Sequence, residues 1–475
     1  MNSPYKRAPI LREPFGADDE AELLEKESRY CSYGDTVHYA EHPKLFEGCD
    51  GSYLFDAQGQ PYLDLQMWYS AVNLGYRHPA VSAALIAQVE KLPQLACQYL
   101  HREKIELAEM ICESVERGFG MKGRVHFNVG GAQAVEDAMK IVRKATGRQR
   151  MLAFQGGYHG RTLGASAITS SYRYREAFGE FADRAEFLPY PYAFRSPLKD
   201  DAATADRCIE EFARLFEHEY TGAWNPKTGR SEFAAFFVEA VQGTGGYVIP
   251  HKSYFRRLAA ICREHGILVV DDEIQMGFYR TGRMWAMEHF DTQPDVIVFG
   301  KALTNGLNPI SGIWAREELI NPAVFGPGST HSTFSSNTLG TATGLAVMKV
   351  FQERDYTPVV LRKGTLFLNK LRDIQSRHPE VGDVQGLGLA LRMEMCEADG
   401  FTPNRALADR MFQVGLDGGL PIGPSGKMGL VLDIGGYYKN VITLAPSLEI
   451  SDRDIDLAAV ALEHVLMQAK AQTPG

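Results

Sequence analysis

Apolar and polar positions recur along this chain with two periods, and the places where the period changes divide it into parts. Residues 17–28, ADDEAELLEKES, form an acidic helix-like stretch within an otherwise polar and irregular first fifty residues. GSYLFDAQGQPYLDL then predicts two short strands around a turn at 56–59. From Pro79 onward helical patterns alternate with short apolar runs, and those at 124–129, 151–154, 234–239, 267–271 and 296–300 are the clearest strands. Strands separated by helices imply a mostly parallel sheet covered on both faces. From Ala346 the pattern changes again, to a long helix, a hairpin-like GDVQGLGLALRMEM and a final amphipathic helix from Asp452.

The expected architecture is α/β. Residues 76–345 form a large domain around the parallel sheet. Residues 346–475 form a smaller α+β domain that shares its sheet with the N-terminal segment, 1–75. A chain of 475 residues is long enough for two filled cores. Repeats and low-complexity tracts are absent from the sequence.

Composition removes several function classes. With 45% hydrophobic and 23% charged residues, the chain has the mixture of a soluble globular protein. A net charge of −9, with both signs interspersed and no basic stripe, argues against a nucleic-acid partner. No apolar run approaches a membrane span, and the first residues lack the apolar core of a secretory signal, so a cytoplasmic location is expected. The seven cysteines are scattered and never spaced C-x-x-C, which predicts reduced thiols and no disulfide framework or zinc site.

Four segments carry candidate chemistry. In VHFNVGGAQAVEDAMKIVRK a strand runs into two glycines and a helix. Helix-start amides around Gly131 and Ala132 suit a phosphate, although taken alone the pattern favours an ordinary strand-to-helix turn. In FQGGYHGRT a glycine-rich loop after a strand places Tyr158 or His159 against a planar ring, or else packs an aromatic on the core. In LVVDDEIQMGFYRTG an apolar strand delivers Asp271, Asp272 and Glu273 at its carboxyl end, the edge where open α/β sheets bind ligands. A carboxylate there can keep a pyridine nitrogen protonated. In DVIVFGKALTNG, Lys301 follows a buried-looking strand 29 residues after Asp272, a spacing that one strand–helix–strand unit returns to the same edge. A lysine in that position suits Schiff-base chemistry better than a solvated surface. In this order the four segments supply the groups a pyridoxal 5'-phosphate (PLP) site needs.

From about Gly51 to the last helix the sequence resembles the class III (omega-) aminotransferases, PLP enzymes of fold type I; the most specific stretch is VVDDEIQMGFYRTG followed by PDVIVFGKAL. That resemblance implies a large domain with a mostly parallel central sheet sandwiched by helices, and a smaller α+β domain built from both termini. It implies Lys301 as the Schiff-base lysine that also shuttles the substrate proton. Asp272 would pair with the pyridine nitrogen, Gln275 with the ring hydroxyl, and Tyr158 would stack on the ring beside His159. Gly131 and Ala132 would hold the phosphate, with Thr333 of HSTFSSN reaching it from a neighbouring subunit, so a homodimer with shared sites is implied. Glu239 matches the glutamate of the family's E-P-x-Q stretch, with Ala240 in place of proline. YLDLQMWYSAVNLGYRHP looks like ornithine aminotransferases, placing Tyr69 in the substrate pocket, with Arg161 of HGRT as a carboxylate-binding candidate. The expected reaction moves an amino group from an amino acid, omega-amine or diamine to a 2-oxo acid. An amino-acid racemase or epimerase on the same fold is the alternative.

The sequence departs from that family at linked positions. Many members pair a glutamate of Q-G-E-G with a late arginine, forming a gate that is freed for the 2-oxo acid. Here Thr244 and Thr443 stand at those positions, which avoids leaving one charge unpaired. Arg392 stands where a small residue is usual, either as a replacement cation or as a strand residue paired with a nearby acid. Gly130 replaces a serine, which removes one phosphate hydroxyl but leaves the amides.

Overall fold

A computed structural model describes residues 17–472 except 33, 35–39, 180, 182–183 and 424–425. The irregular stretch before residue 17 lies outside the described residues. The central sheet has seven strands: β1 (Gly123–Asn128), β2 (Arg150–Phe154), β3 (Glu186–Leu188), β4 (Phe233–Val238), β5 (Leu268–Asp272), β6 (Val296–Phe299) and β7 (Ser311–Arg316). Their spatial order is β1-β7-β6-β5-β4-β2-β3. Neighbours from β6 to β3 pair in parallel, and β7 runs antiparallel to both β6 and β1. β7 reverses the direction twice, so β1 points the same way as the parallel strands. Six strands thus empty their carboxyl ends onto one edge.

The expected strands are present, each within a residue or two of the apolar run that predicted it. β4 is buried at all six positions, FAAFFV, as a strand covered on both faces must be. Helix α1 (Gly131–Thr146) lays Ala134, Val135, Ala138, Ile141 and Val142 on the sheet and ends at Gly147, whose φ of +68° a side-chain-bearing residue would resist.

Strands Phe46–Asp50, Tyr53–Asp56 and Pro61–Asp64 form a separate sheet closed by Gly429–Val431, with Leu430 beside Leu63. The N-terminal segment and the last part of the chain therefore share hydrogen bonds. The hairpin expected in GDVQGLGLALRMEM is Val381–Leu387 with Ala390–Met395, extended by Val441–Leu444 and Asp433–Gly435. Among the described residues no helix is long and apolar enough to cross a membrane. The seven cysteines are free thiols.

Candidate active site

The carboxyl edge of the sheet borders a cavity of about 430 Å³, within the size range of small-molecule sites. β1 runs out into Val129 and Gly130, where α1 begins. Among the described residues no side chain caps that helix, so its first-turn amides at Gly131 and Ala132 stay available beside the cavity. A Cβ added to Gly130 would meet nothing within 4 Å, so there is open space where the resemblance expected a serine. Gly160 has φ +122° and a Cβ there would lie 2.5 Å from the Ala132 Cβ, so glycine lets the loop after β2 close onto the helix start.

β5 contributes a carboxylate by its two-residue alternation. Asp272 lines the cavity, whereas Asp271 and Glu273 do not. Burial raises the pKa of both, Glu273 to about 7, and the charge of Glu273 pushes Asp271 up further. Only the middle acid of the three is available to a ligand. Asp272 Oδ2 lies 2.8 Å from His159 Nδ1, and its Oδ1 accepts the Ile274 amide at 3.1 Å. Burial works against a charged His159, but the bond to Asp272, that carboxylate's charge and Glu239 outweigh it and raise the imidazole. His159 is thus committed to Asp272, and Tyr158 is left as the aromatic of that loop to face a planar ligand.

Tyr158 is half-buried on the cavity wall and packs edge-on against Tyr174 at 5.4 Å. Glu239, just past β4, accepts its amide at 3.0 Å and that of Gly243 at 2.8 Å. Burial pushes the Glu239 carboxyl up to about 7. Gln275 lines the cavity and donates to the Tyr247 hydroxyl at 3.1 Å.

Lys301 follows β6 with φ +42°, a left-handed conformation that costs about 1 kcal/mol or more in a non-glycine residue. Desolvation lowers its amine below the ordinary lysine value, while Asp272, Glu239 and Asp433 pull it back. It lines both the main cavity and a second of about 240 Å³, which it shares with Tyr69, Tyr158, Arg161 and Gln275.

Tyr69 sits in a left-handed turn in which Met67, Trp68, Tyr69 and Ser70 all have φ between +45° and +67°. Arg280 holds that turn: wholly buried, it donates to Ser70 Oγ and Asn73 Oδ1, both at 2.7 Å, and to the Leu389 carbonyl at 3.1 Å. Arg161 lies 4.5 Å from the Tyr174 ring centre and 6.0 Å from that of Tyr158. Thr333 is exposed and outside both cavities.

At the two departures from the family pattern uncharged threonines stand, each held by a hydrogen bond. The Thr244 carbonyl accepts the Gly436 amide at 3.0 Å, and the Thr443 hydroxyl donates to Asp433 at 2.6 Å. Arg392 is not a replacement cation. It is fully buried away from both cavities, paired with Asp383 at 2.6 Å, Glu394 at 2.7 Å and the Tyr192 hydroxyl at 2.7 Å. Sequence reasoning missed the His159–Asp272 pair, the Arg280 clamp, and the presence of Asp433 and Lys439 in the second cavity.

Fold and site define an α/β enzyme with a lysine-centred ligand cavity at the carboxyl edge of its sheet. The chain belongs to the aminotransferase class-III family, whose model matches residues 37–466, and it is a transaminase. It is 31% identical over 436 residues to the 4-aminobutyrate aminotransferase GabT of Escherichia coli (strain K12), covering 90% of this chain and 95% of that protein. It is also 29% identical over 454 residues to an alanine/serine racemase of Pyrococcus horikoshii, covering 94% of this chain and 90% of that one. Its fold matches a crystal structure of an amine transaminase from an uncultivated Pseudomonas species in the PLP-bound form. That match has a TM-score of 0.80 and 26% identity, covering 92% of this chain and 97% of the other.

Proposed function

We propose that this transaminase works with PLP at Lys301 and moves an amino group from an amino acid, omega-amine or diamine to a 2-oxo acid. The observation that carries the reading is the convergence on one cavity wall of a desolvated lysine, a carboxylate braced by a buried histidine, and an uncapped helix start. Those groups fit the three ends of PLP. The uncapped amides at Gly131 and Ala132 suit its phosphate, and the open space at Gly130 leaves room for it. Asp272, bonded to His159, suits the pyridine nitrogen, and Gln275 the ring hydroxyl. Tyr158 supplies a face for the ring, and Glu239 positions Tyr158 by accepting its amide. When bound, PLP supplies a carbonyl that condenses with amines and a ring that withdraws charge from the substrate's Cα.

Lys301 takes the Cα proton and returns it, a task that needs an amine neutral near pH 7, and desolvation favours that form. Tyr69 and Arg161 stand on the substrate side, where Arg161 receives a carboxylate. Thr333, exposed on this chain, would complete the phosphate site of a second copy in a homodimer.

The test mixes purified holoenzyme with single amines (ornithine, lysine, 4-aminobutyrate, a diamine, alanine) without a 2-oxo acid, while the visible spectrum is recorded. Conversion of the lysine-bound cofactor band to that of its amine form, with release of the matching carbonyl, is expected for at least one donor. A band that persists while the amino acid's α-proton exchanges with deuterated solvent would overturn amino transfer in favour of racemisation.

A further inference from the structure

The second cavity contains two charges that the proposed function leaves unassigned, Lys439 and Asp433. Besides Lys301 it is lined by two cations, Arg161 and Lys439, and by one carboxylate, Asp433. Lys439 is half-buried and, among the described residues, makes no hydrogen bond or ion pair through its amine. Its position is nevertheless fixed. It sits at φ +55° on the turn between strands Asp433–Gly435 and Val441–Leu444. Its amide donates to the Gly436 carbonyl at 3.2 Å, and the Gly436 amide ties the turn to Thr244. The Tyr437 hydroxyl anchors it to the Gln155 carbonyl at 2.9 Å, and the Asn440 side chain to the Met395 carbonyl at 2.6 Å. A floppy surface lysine needs no such mounting, and a structural lysine would have an acceptor, as Lys363 has in the Leu448 carbonyl at 2.8 Å.

The charges around Lys439 are mostly of its own sign. Arg173, Arg405 and Arg161 act on its amine against Asp433 alone, and with burial they push it below the ordinary lysine value. Asp433 is itself engaged by the Thr443 hydroxyl. A lysine amine without an acceptor, carried on a pinned turn and lining one cavity with Arg161 and Lys301, is a site awaiting an anion.

We infer that Lys439 is a specificity residue: with Arg161 it holds the two carboxylates of a dicarboxylic 2-oxo acid, the amino acceptor, over the Lys301 end of the site. This rests on the proposed amino transfer, in which the acceptor enters the cavity that the donor has left. The Lys439 turn and Arg161 come from separate segments, so the span between them sets which chain length is accepted. A monocarboxylic acid engages one cation and gains nothing from the second.

The test measures equilibrium binding of an unreactive dicarboxylate, glutarate, and a monocarboxylate, butyrate, to the holoenzyme by calorimetry. Wild type is expected to bind glutarate about tenfold more tightly than butyrate or better, as one charge-assisted hydrogen bond provides. Lys439→Met is expected to erase that preference, Lys439→Gln to do the same, and Lys439→Arg to keep it. Glutarate binding in Lys439→Met within twofold of wild type, or equal weakening of glutarate and butyrate, overturns the inference. Absence of the preference in wild type overturns it as well. Failure of amino transfer would appear separately, as no donor-driven spectral change in wild type, while the carboxylate preference would still be measurable.

Discussion

The two ends of this site are built on different principles. The Lys301 end is made by the sheet. β1, β2, β4, β5 and β6 each deliver a residue to one edge, where Asp272 is bonded to His159 and Glu239 to backbone amides. The substrate end is made by loops. Tyr69 comes from a left-handed turn near residue 69, Arg161 from the loop after β2, Thr244 from the loop after β4, and Asp433 and Lys439 from the C-terminal sheet. A rigid sheet edge suits a group that stays in place through every turnover, and adjustable loops suit substrates that come and go. Damage to the first end should stop chemistry, and damage to the second should change affinity.

The widest separation is expected from Lys301→Ala, which removes the group proposed to move the proton. Turnover should fall by roughly a thousandfold or more while the fold is kept, measured as donor consumption alongside circular dichroism. Retained turnover would break the distinction at once. Arg280→Met acts on the other end from beneath. It strips the buried partners from Ser70, Asn73 and the Leu389 carbonyl, and should cost about 4 kcal/mol of stability by thermal or denaturant unfolding. The turn carrying Tyr69 should loosen, so KM rises more than kcat falls.

Glu239 allows a finer test because its titration is displaced. Burial raises its carboxyl from 4.5 to about 7, so between those values the folded chain keeps a proton that the unfolded chain has released. Stability of the cofactor-free protein should therefore fall as pH rises through that window, by up to about 3 kcal/mol from this group. Glu239→Gln should remove that part of the slope and leave the part due to Glu273, which burial also raises to about 7. An unchanged slope in melting temperature against pH would contradict the assignment. The smallest effect belongs to Arg161→Gln, expected to raise KM for a carboxylate-bearing substrate by about tenfold with kcat nearly unchanged. A loss in kcat instead would move Arg161 to the chemical end.

The contrast also explains what the sequence revealed. β4 and β6 are buried on both faces and so read as unbroken apolar runs, with Glu239 and Lys301 just past their ends. Asp272 was legible as one of three acids, but which of the three faced the ligand depended on strand register. His159 read as an aromatic of a glycine-rich loop. Its bond to Asp272 crosses 113 residues and leaves no local pattern. Arg392 offered a cation to replace the arginine absent at Thr443, and only the pairing of Asp383 and Glu394 around it shows that it is occupied. Lys439 in GGYYKN had no signal at all, since it reaches the site only because the C-terminal sheet docks its turn onto the Thr244 loop.

Two lysines line the second cavity, Lys301 at the chemical end and Lys439 at the substrate end, and they do different work. Borohydride reduction of the holoenzyme followed by peptide mapping asks which of them carries the cofactor. The added mass is expected on Lys301 in a single peptide, with Lys439 unmodified. Label on Lys439, or no label on either lysine, would contradict it.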